Sequence, residues 1–178
     1  MDIGLFDRSS LIYKAEAAQL LIDCFPQAYA DNAAEETEGI LDGKRIAMMA
    51  TDNGHLIGLI GAVPQYGVTG WELHPLAVRK DYRLQGVGSQ LVFALEREVA
   101  GRGGITLYLG SDDEFGKTTL ADTDLYERTF AKIAAIRNIG GHPYAFYQKI
   151  GYIIVGVIPD ANGYGKPDIW MAKRIGRP

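Results

Sequence analysis

A glycine-rich segment near the middle of the chain has the residue types of a phosphate-binding turn. With the residue that follows it, the segment reads Arg83-Leu84-Gln85-Gly86-Val87-Gly88-Ser89. Its glycines let the backbone come close to a bulky ligand and adopt conformations that a Cβ atom would forbid. An amphipathic helix is predicted to begin at about Val87, and the N–H groups at a helix start attract anions. The turn therefore predicts a pyrophosphate-bearing ligand, with Arg79 and Lys80 adding positive charge.

Other phosphate-binding motifs fit this turn less well. The dinucleotide-binding fingerprint Gly-x-Gly-x-x-Gly requires a third glycine, and the turn lies in mid-chain after a predicted antiparallel hairpin. A Walker-type loop requires Gly-Lys followed by Ser or Thr, and the sequence after Gly86 does not supply it. A third alternative is a tight strand-to-helix connection that binds nothing. The turn alone leaves that alternative open.

The elements around the turn indicate a mixed α/β arrangement. Apolar residues at helical spacing predict helices, and β-branched or alternating runs predict strands. Asn53-Gly54 between two apolar runs predicts a hairpin. The predicted strands cover residues 3–7, 45–51, 55–63, 71–78, 105–109, 152–158 and 169–173. The predicted helices cover residues 11–25, 31–41, 87–100, 125–139 and 143–150. Because no linker or repeat interrupts them, we expect one domain over residues 1–178.

Composition and charge narrow the classes of protein to consider. The chain has 178 residues, 47% hydrophobic and 22% charged, which is typical of a globular protein with a sizeable core. Its net charge of -4 argues against a general nucleic-acid binder, which needs a basic face. Cys24 and the histidines lack metal-ligand spacing, so we expect no metal. The N-terminus lacks a signal-peptide pattern and no apolar run is long enough to span a bilayer, so we expect a cytoplasmic protein without a membrane partner.

The turn and three further segments resemble a known enzyme family. Arg83-x-x-Gly86-x-Gly88, after a strand ending in Leu76-Ala77-Val78, resembles motif A of the GNAT N-acetyltransferases. Residues 64–76, 102–110 and 166–173 resemble the aminoglycoside 6'-N-acetyltransferases of that family. The resemblance implies a single-domain GNAT fold, with a mixed, mostly antiparallel central sheet flanked by helices and splayed strands 4 and 5. It also implies acetyl-CoA as co-substrate, with its pyrophosphate at residues 83–89 and its pantetheine arm along Leu76 and Val78.

Acetyl transfer to an amine requires three functions from the protein. The protonated amine must lose a proton, the oxyanion needs a hydrogen-bond donor, and the departing thiolate benefits from an acid. Glu72, His74 and Leu76 share one face of the strand over 71–78, because side chains alternate along a strand. Glu72 is the preferred base or cation anchor, with a solvent-facing carboxylate as the alternative. His74 is the second candidate base, or a structural hydrogen-bonding residue. The resemblance implies that Leu76 contributes the oxyanion donor.

The candidate acid is Tyr147, in the segment Pro143–Tyr152. This segment resembles motif B of the family, in which a tyrosine donates a proton to the CoA sulfur. By spacing alone, Tyr144 and Tyr147 would be two core tyrosines on one side of a short helix. The resemblance therefore implies a catalytic and cofactor-binding role for Tyr147 and a packing role for Tyr144. Cys24 could carry an acyl group, but its apolar helix favours a small buried side chain, so we expect direct transfer in a ternary complex.

Aminoglycosides carry several ammonium groups, so their site should hold several carboxylates. The candidates are Glu72, Asp112, Asp113, Glu114 and Asp168, with Gln65 and Tyr66 as polar and aromatic contacts to a sugar ring. Each aspartate could instead be a turn residue. We expect aminoglycoside 6'-N-acetylation, and hence antibiotic resistance. The alternatives are a GNAT enzyme that acetylates a polyamine, peptide or protein lysine amine, and a CoA-binding regulatory protein without catalysis. The resemblance also implies a homodimer.

Overall fold

The computed structural model describes residues 1–176, and its contacts divide the chain into two compact units. The first unit is Met1–Leu107 together with Ile175 and Gly176. The second unit is Tyr108–Arg174. The expected single domain over residues 1–178 stays a prediction. Within residues 1–176, no helix has the length and apolar character to cross a membrane.

The first unit is an antiparallel sheet with helices packed on it. Its strands, in spatial order, are β1 (Asp2–Leu5), β2 (Ile46–Asp52), β3 (His55–Tyr66) and β4 (Gly70–Val78). Its helices are α1 (Leu11–Cys24), α2 (Pro26–Tyr29), α3 (Ala33–Ile40) and α4 (Val87–Gly101). Ser10 caps α1, because its hydroxyl accepts a hydrogen bond from the Tyr13 N–H at 3.2 Å. The predicted hairpin between β2 and β3 is confirmed, with positive φ at Asn53 and Gly54.

The start of α4 packs tightly against β3. The predicted inner stripe of this helix is confirmed, since Leu91, Val92, Leu95 and Val99 are all fully buried. At Gly58 of β3, an added Cβ atom would lie only 2.8 Å from Leu91 Cδ1. This close approach leaves little room for a side chain at position 58 and packs the first turns of α4, from Val87 to Leu91, against β3.

The second unit contains most of β5, from Tyr108 onward. Strands β5 (Thr106–Asp112), β7 (Asp168–Arg174) and β6 (Ile153–Ile158) follow one another in space. Its helices are α5 (Thr129–Ala134) and α6 (Tyr144–Lys149). The start of β5 belongs to the first unit, where the N–H groups of Ile105 and Thr106 both donate to the Thr69 carbonyl at 2.8 and 3.0 Å.

Two predicted helices were wrong in extent. The helix expected over residues 125–139 covers only Thr129–Ala134; it starts after Arg128, whose left-handed φ of 53° an α-helix cannot contain. The helix expected over residues 31–41 begins only at Ala33, and a separate short helix, Pro26–Tyr29, precedes it. The short helix predicted near residues 143–150 is confirmed as Tyr144–Lys149.

Candidate active site

The phosphate turn presents backbone groups, not side chains, at the start of α4. Gly86 is the N-cap residue with a φ of 85°, and no side chain caps the helix. The N–H groups of Val87, Gly88 and Ser89 have no partners within the helix, and the positive end of its dipole lies there. Leu84 also has a positive φ of 61° and its side chain is fully exposed. This uncapped turn fits an anionic pyrophosphate group.

Two polar side chains of the turn, Arg83 and Gln85, bond to other parts of the protein. Arg83 donates from Nε to the Val78 carbonyl at 3.0 Å, and its Nη2 lies 3.3 Å from Cys24 Sγ. Gln85 donates from Nε2 to the Asp81 carbonyl at 2.6 Å. Arg83 therefore ties the turn to the end of β4, and the backbone N–H groups are left to meet a ligand.

The two faces of β4 differ in burial as the sequence predicts. Trp71 and Leu73 are buried against the core, whereas Glu72 and Leu76 are half-buried and His74 is exposed. The alternation places Glu72, His74 and Leu76 on one face of the strand, which confirms the predicted arrangement. The candidate base, the second candidate base and the candidate oxyanion donor thus lie along one line of the first unit.

Glu72 is held by a second predicted site residue. Gln65, near the end of β3, donates from Nε2 to Glu72 Oε2 at 2.8 Å. The register pairs Val63 with Glu72, so the two strands bring Gln65 and Glu72 together across the hairpin. Tyr66 is 66% exposed at the end of β3. Among residues 1–176, Glu72 Oε1 has no hydrogen-bond partner, so it can meet a cation while the Gln65 amide orients Oε2.

The backbone of β4 offers hydrogen-bonding groups on the side away from β3. The Arg79 N–H donates to the Ile57 carbonyl at 2.9 Å, which marks a hydrogen-bonded pair of the antiparallel ladder. Such pairs alternate with non-hydrogen-bonded ones, so Ala77 is bonded to β3 and Leu76 and Val78 are not. The N–H groups of Leu76 and Val78 therefore point away from β3, as an oxyanion donor and a partner for a pantetheine arm require.

His74 has a partner that the sequence did not suggest. Its Nε2 lies 3.1 Å from the hydroxyl of Tyr29, a buried residue of α2. Burial raises the pKa of the Tyr29 hydroxyl, and the negative charge of Glu36 raises it further. The two residues are 45 positions apart, and no motif or periodicity signals their contact.

In the second unit, Tyr147 is buried with an unengaged hydroxyl. Its ring packs edge-on against the rings of Phe146 and Tyr152, with centroid distances of 5.0 and 5.6 Å. Among residues 1–176, its hydroxyl has no hydrogen-bond partner. Burial alone raises its pKa, so the hydroxyl keeps its proton at neutral pH, as a proton donor must. Tyr144 is buried too and packs against His142, in keeping with the packing role expected for it.

The candidate carboxylates of the second unit are engaged with their own surroundings. Asp113 is 1% exposed and accepts hydrogen bonds from the N–H groups of Lys117 and Thr118 at 2.6 and 2.8 Å, so it braces the loop. Asp168 accepts a hydrogen bond from Trp170 Nε1 at 2.7 Å. The exposed Asp112 carboxylate accepts one from Asn162.

His142 holds the end of β5 to the start of α6. Its Nδ1 accepts a hydrogen bond from the Tyr144 N–H at 3.1 Å, and its Nε2 lies 3.0 Å from the Asp112 carbonyl. Burial is the main cause that lowers the pKa of His142, which therefore stays neutral. Sequence analysis missed this residue, since a lone histidine before a proline carries no signal of such a role.

The chain belongs to the acetyltransferase (GNAT) family, whose model matches residues 14–131. Within that family it is similar to solved aminoglycoside 6'-N-acetyltransferases. One, crystallised with coenzyme A, is 55% identical, with 100% of this chain and 99% of that chain covered and a TM-score of 0.98. Another, from Enterococcus faecium, is 54% identical over 100% and 99% of the two chains, with a TM-score of 0.96.

A third solved structure, an aminoglycoside 6'-acetyltransferase type Ii, is 46% identical over 100% of both chains, with a TM-score of 0.80. No curated protein sequence matches the chain. The predicted family and the predicted α/β GNAT fold are confirmed by these likenesses. As a GNAT protein, the chain uses acetyl-CoA, and the uncapped turn at Gly86 suits its pyrophosphate. Within residues 1–176, no cluster of His, Cys, Asp and Glu could hold a metal ion.

Proposed function

We propose that this chain transfers the acetyl group of acetyl-CoA to the 6'-amine of aminoglycosides. The observation that carries the proposal is the full-length likeness, at 55% identity and a TM-score of 0.98, to an enzyme of that activity crystallised with coenzyme A. The first unit adds its own support. It combines an uncapped helix start, which suits an anion, with a strand that presents a carboxylate and outward backbone N–H groups.

The donor binds along the turn and β4 in this proposal. Acetyl-CoA supplies the thioester whose acetyl group is transferred. The backbone of residues 83–89 holds its pyrophosphate, and Leu76 and Val78 pair with its pantetheine arm. The guanidinium of Arg83 does not contact the phosphates in this proposal, since it bonds to the Val78 carbonyl. We expect the positive charge of Arg83 to favour the phosphates through the field without direct contact.

The family resemblance assigns the steps of the acceptor reaction to Glu72, Leu76 and Tyr147. Glu72, oriented by Gln65, anchors the ammonium group and takes its proton directly or through water. The amine nitrogen then bonds to the acetyl carbon, while the Leu76 N–H stabilises the oxyanion. As the carbon–sulfur bond breaks, Tyr147 gives its proton to the thiolate. Asp112, Asp168 and Tyr66 are proposed contacts to the other groups of the drug.

Release of free CoA tests the proposal directly. Purified protein with acetyl-CoA and kanamycin should release CoA well above the rate seen without kanamycin. A panel containing spermidine, an N-terminal peptide amine and a lysine peptide separates the alternative acceptors by comparison of kcat/KM. A higher kcat/KM for one of those amines would reassign the acceptor. Tight acetyl-CoA binding without turnover on any amine would favour a regulatory protein.

The proposed homodimer has a candidate surface in the second unit. Strand β6 lies at the end of the order β5, β7, β6, and it exposes Ile153, Val155 and Ile158 by 66, 53 and 43%. Exposed apolar residues on an edge strand favour contact with a second chain. Light scattering should give the mass of two chains, and Ile153→Lys should reduce it to one. The cytoplasmic location and the lack of nucleic-acid and membrane partners also stay predictions.

A further inference from the structure

The Tyr29 hydroxyl contacts one of the two ring nitrogens of His74. Tyr29 is 7% exposed, and its hydroxyl lies 3.1 Å from Nε2 of His74. The other ring nitrogen, Nδ1, has no hydrogen-bond partner among residues 1–176. Side chains two positions apart share a face of a strand, so His74 is the neighbour of Glu72 on the site face of β4, and its Nδ1 belongs to that face.

The direction of this hydrogen bond follows from the burial of Tyr29. Burial and the charge of Glu36 both keep the phenol protonated, so its O–H must find an acceptor. Among residues 1–176, the group within hydrogen-bonding distance of this hydroxyl is His74 Nε2. A neutral imidazole carries its proton on one nitrogen and accepts at the other. If Nε2 accepts from Tyr29, the ring proton of His74 is on Nδ1.

We propose that Tyr29 is a positioning residue that holds His74 as the Nδ1–H tautomer, so that His74 offers the acceptor a hydrogen-bond donor instead of a base. The nitrogen that could take a proton is occupied by Tyr29. Glu72 and His74 then divide the recognition of an amino sugar, since the carboxylate attracts ammonium groups and the N–H suits hydroxyl or ether oxygens. The role toward the acceptor rests on the proposed function, whereas the tautomer does not.

The tautomer can be measured without any acceptor. Long-range proton–nitrogen NMR spectra of the ¹⁵N-labelled protein distinguish the two ring nitrogens, and a His74→Gln variant identifies the His74 signals. His142 is an internal control with the opposite tautomer, because the Tyr144 N–H donates to its Nδ1 and leaves the ring proton on Nε2. We expect the proton of His74 on Nδ1. Tyr29→Phe should abolish that preference and leave His142 unchanged.

A His74 proton on Nε2 in the native protein would overturn the inference, as would a His74 spectrum that Tyr29→Phe does not alter. Tyr29→Phe keeps the buried ring and removes only the oxygen, so packing is retained. Tyr164→Phe, at a side chain that is 94% exposed, is the matched control and should leave the His74 signals unchanged.

Steady-state kinetics test the donor role in the enzyme. His74→Ala should raise the KM of the aminoglycoside roughly two- to tenfold, the effect of one neutral hydrogen bond, with a smaller effect on kcat. Tyr29→Phe should act in the same direction, and His74→Asn, which keeps an N–H donor near Nδ1, should recover part of the loss. A fall concentrated in kcat, by about 100-fold or more, would identify His74 as a base and contradict the inference. Unchanged kinetic constants in His74→Ala would exclude the donor role.

Discussion

The phosphate turn and the loop that follows β5 use their polar groups in opposite ways. In the turn, the side chains of Arg83 and Gln85 bond back to the protein while the N–H groups at the start of α4 have no cap. In the loop, the buried carboxylate of Asp113 accepts hydrogen bonds from two backbone N–H groups, and both ring nitrogens of His142 are hydrogen-bonded.

This difference separates groups that await a ligand from groups that hold the fold. Unsatisfied backbone N–H groups at a helix start have an open hydrogen-bonding capacity, so they can be sites. A buried carboxylate with its partners in place has little left to offer, whatever its charge suggests. We therefore expect substitutions in the first region to alter activity and those at Asp113 and His142 to alter stability.

The largest expected effect is at Glu72. Glu72→Ala should lower kcat/KM for kanamycin by about 10²- to 10⁴-fold, because both the proton acceptor and the anchor for the ammonium group are lost. The thermal midpoint should change little, since the side chain is half-buried on the open face of β4. Gln65→Ala is a milder companion that releases Glu72 Oε2. A Glu72→Ala enzyme with native kcat/KM would remove Glu72 from the mechanism.

Asp113→Ala should affect stability more than any variant of the turn. It leaves the N–H groups of Lys117 and Thr118 without their buried acceptor, at a cost of about 2–4 kcal/mol in the free energy of unfolding. Denaturant titration measures the loss. Asp112→Ala is the matched control, because its carboxylate is exposed and should matter little to stability. Equal losses in the two variants would contradict the assignment of Asp113 to the fold.

The hydroxyl of Tyr147 is the group in the second unit that should matter for turnover. Tyr147→Phe should lower kcat for acetyl transfer by roughly tenfold or more while the protein stays folded, because the buried ring is retained and only a proton donor is lost. Tyr144→Phe, on the same helix, should have the smaller effect on kcat. The reverse order would exchange the roles of the two tyrosines.

Gly86→Val should weaken binding of the donor. A β-branched residue at a φ of 85° carries a conformational penalty of about 1–3 kcal/mol, and the turn must shift to relieve it. We expect the dissociation constant of acetyl-CoA, measured by calorimetry, to rise about tenfold or more. Gly39→Val lies away from the turn, in α3, and should leave acetyl-CoA binding unchanged. Native affinity in Gly86→Val would show that the turn does not hold the pyrophosphate.

The smallest expected effect is a pH dependence from His142. Its pKa in the folded protein is lowered by burial, so below about pH 6.5 the unfolded chain binds a proton that the folded protein resists. Stability therefore falls as the pH drops through this range, by at most about 1.4 kcal/mol per pH unit. His142→Gln should be less stable at neutral pH and should lack this part of the slope. Parallel pH profiles for the two proteins would contradict the account.

The parts of the site that follow local patterns could be predicted from the sequence. The exposed face of β4 follows from a period of two, and the turn with α4 follows from glycines beside an apolar stripe. Longer-range features could not be predicted. Neither the pairing of Tyr29 with His74 nor the difference between Asp112 and Asp113 leaves a local signal, because each depends on which distant backbone or side chain comes near. The late start of α5, after Arg128 instead of at residue 125, is likewise set by backbone conformation.

The most direct test compares two aminoglycosides that differ only at the reacting position. Neomycin carries an amine at the 6' position and paromomycin carries a hydroxyl there. With acetyl-CoA and the purified protein, we predict CoA release and a mono-acetylated product with neomycin, acetylated at the 6' nitrogen by NMR, and little release with paromomycin. Equal turnover of the two drugs, or acetylation of neomycin at another amine, would contradict the proposed 6'-N-acetyltransferase activity.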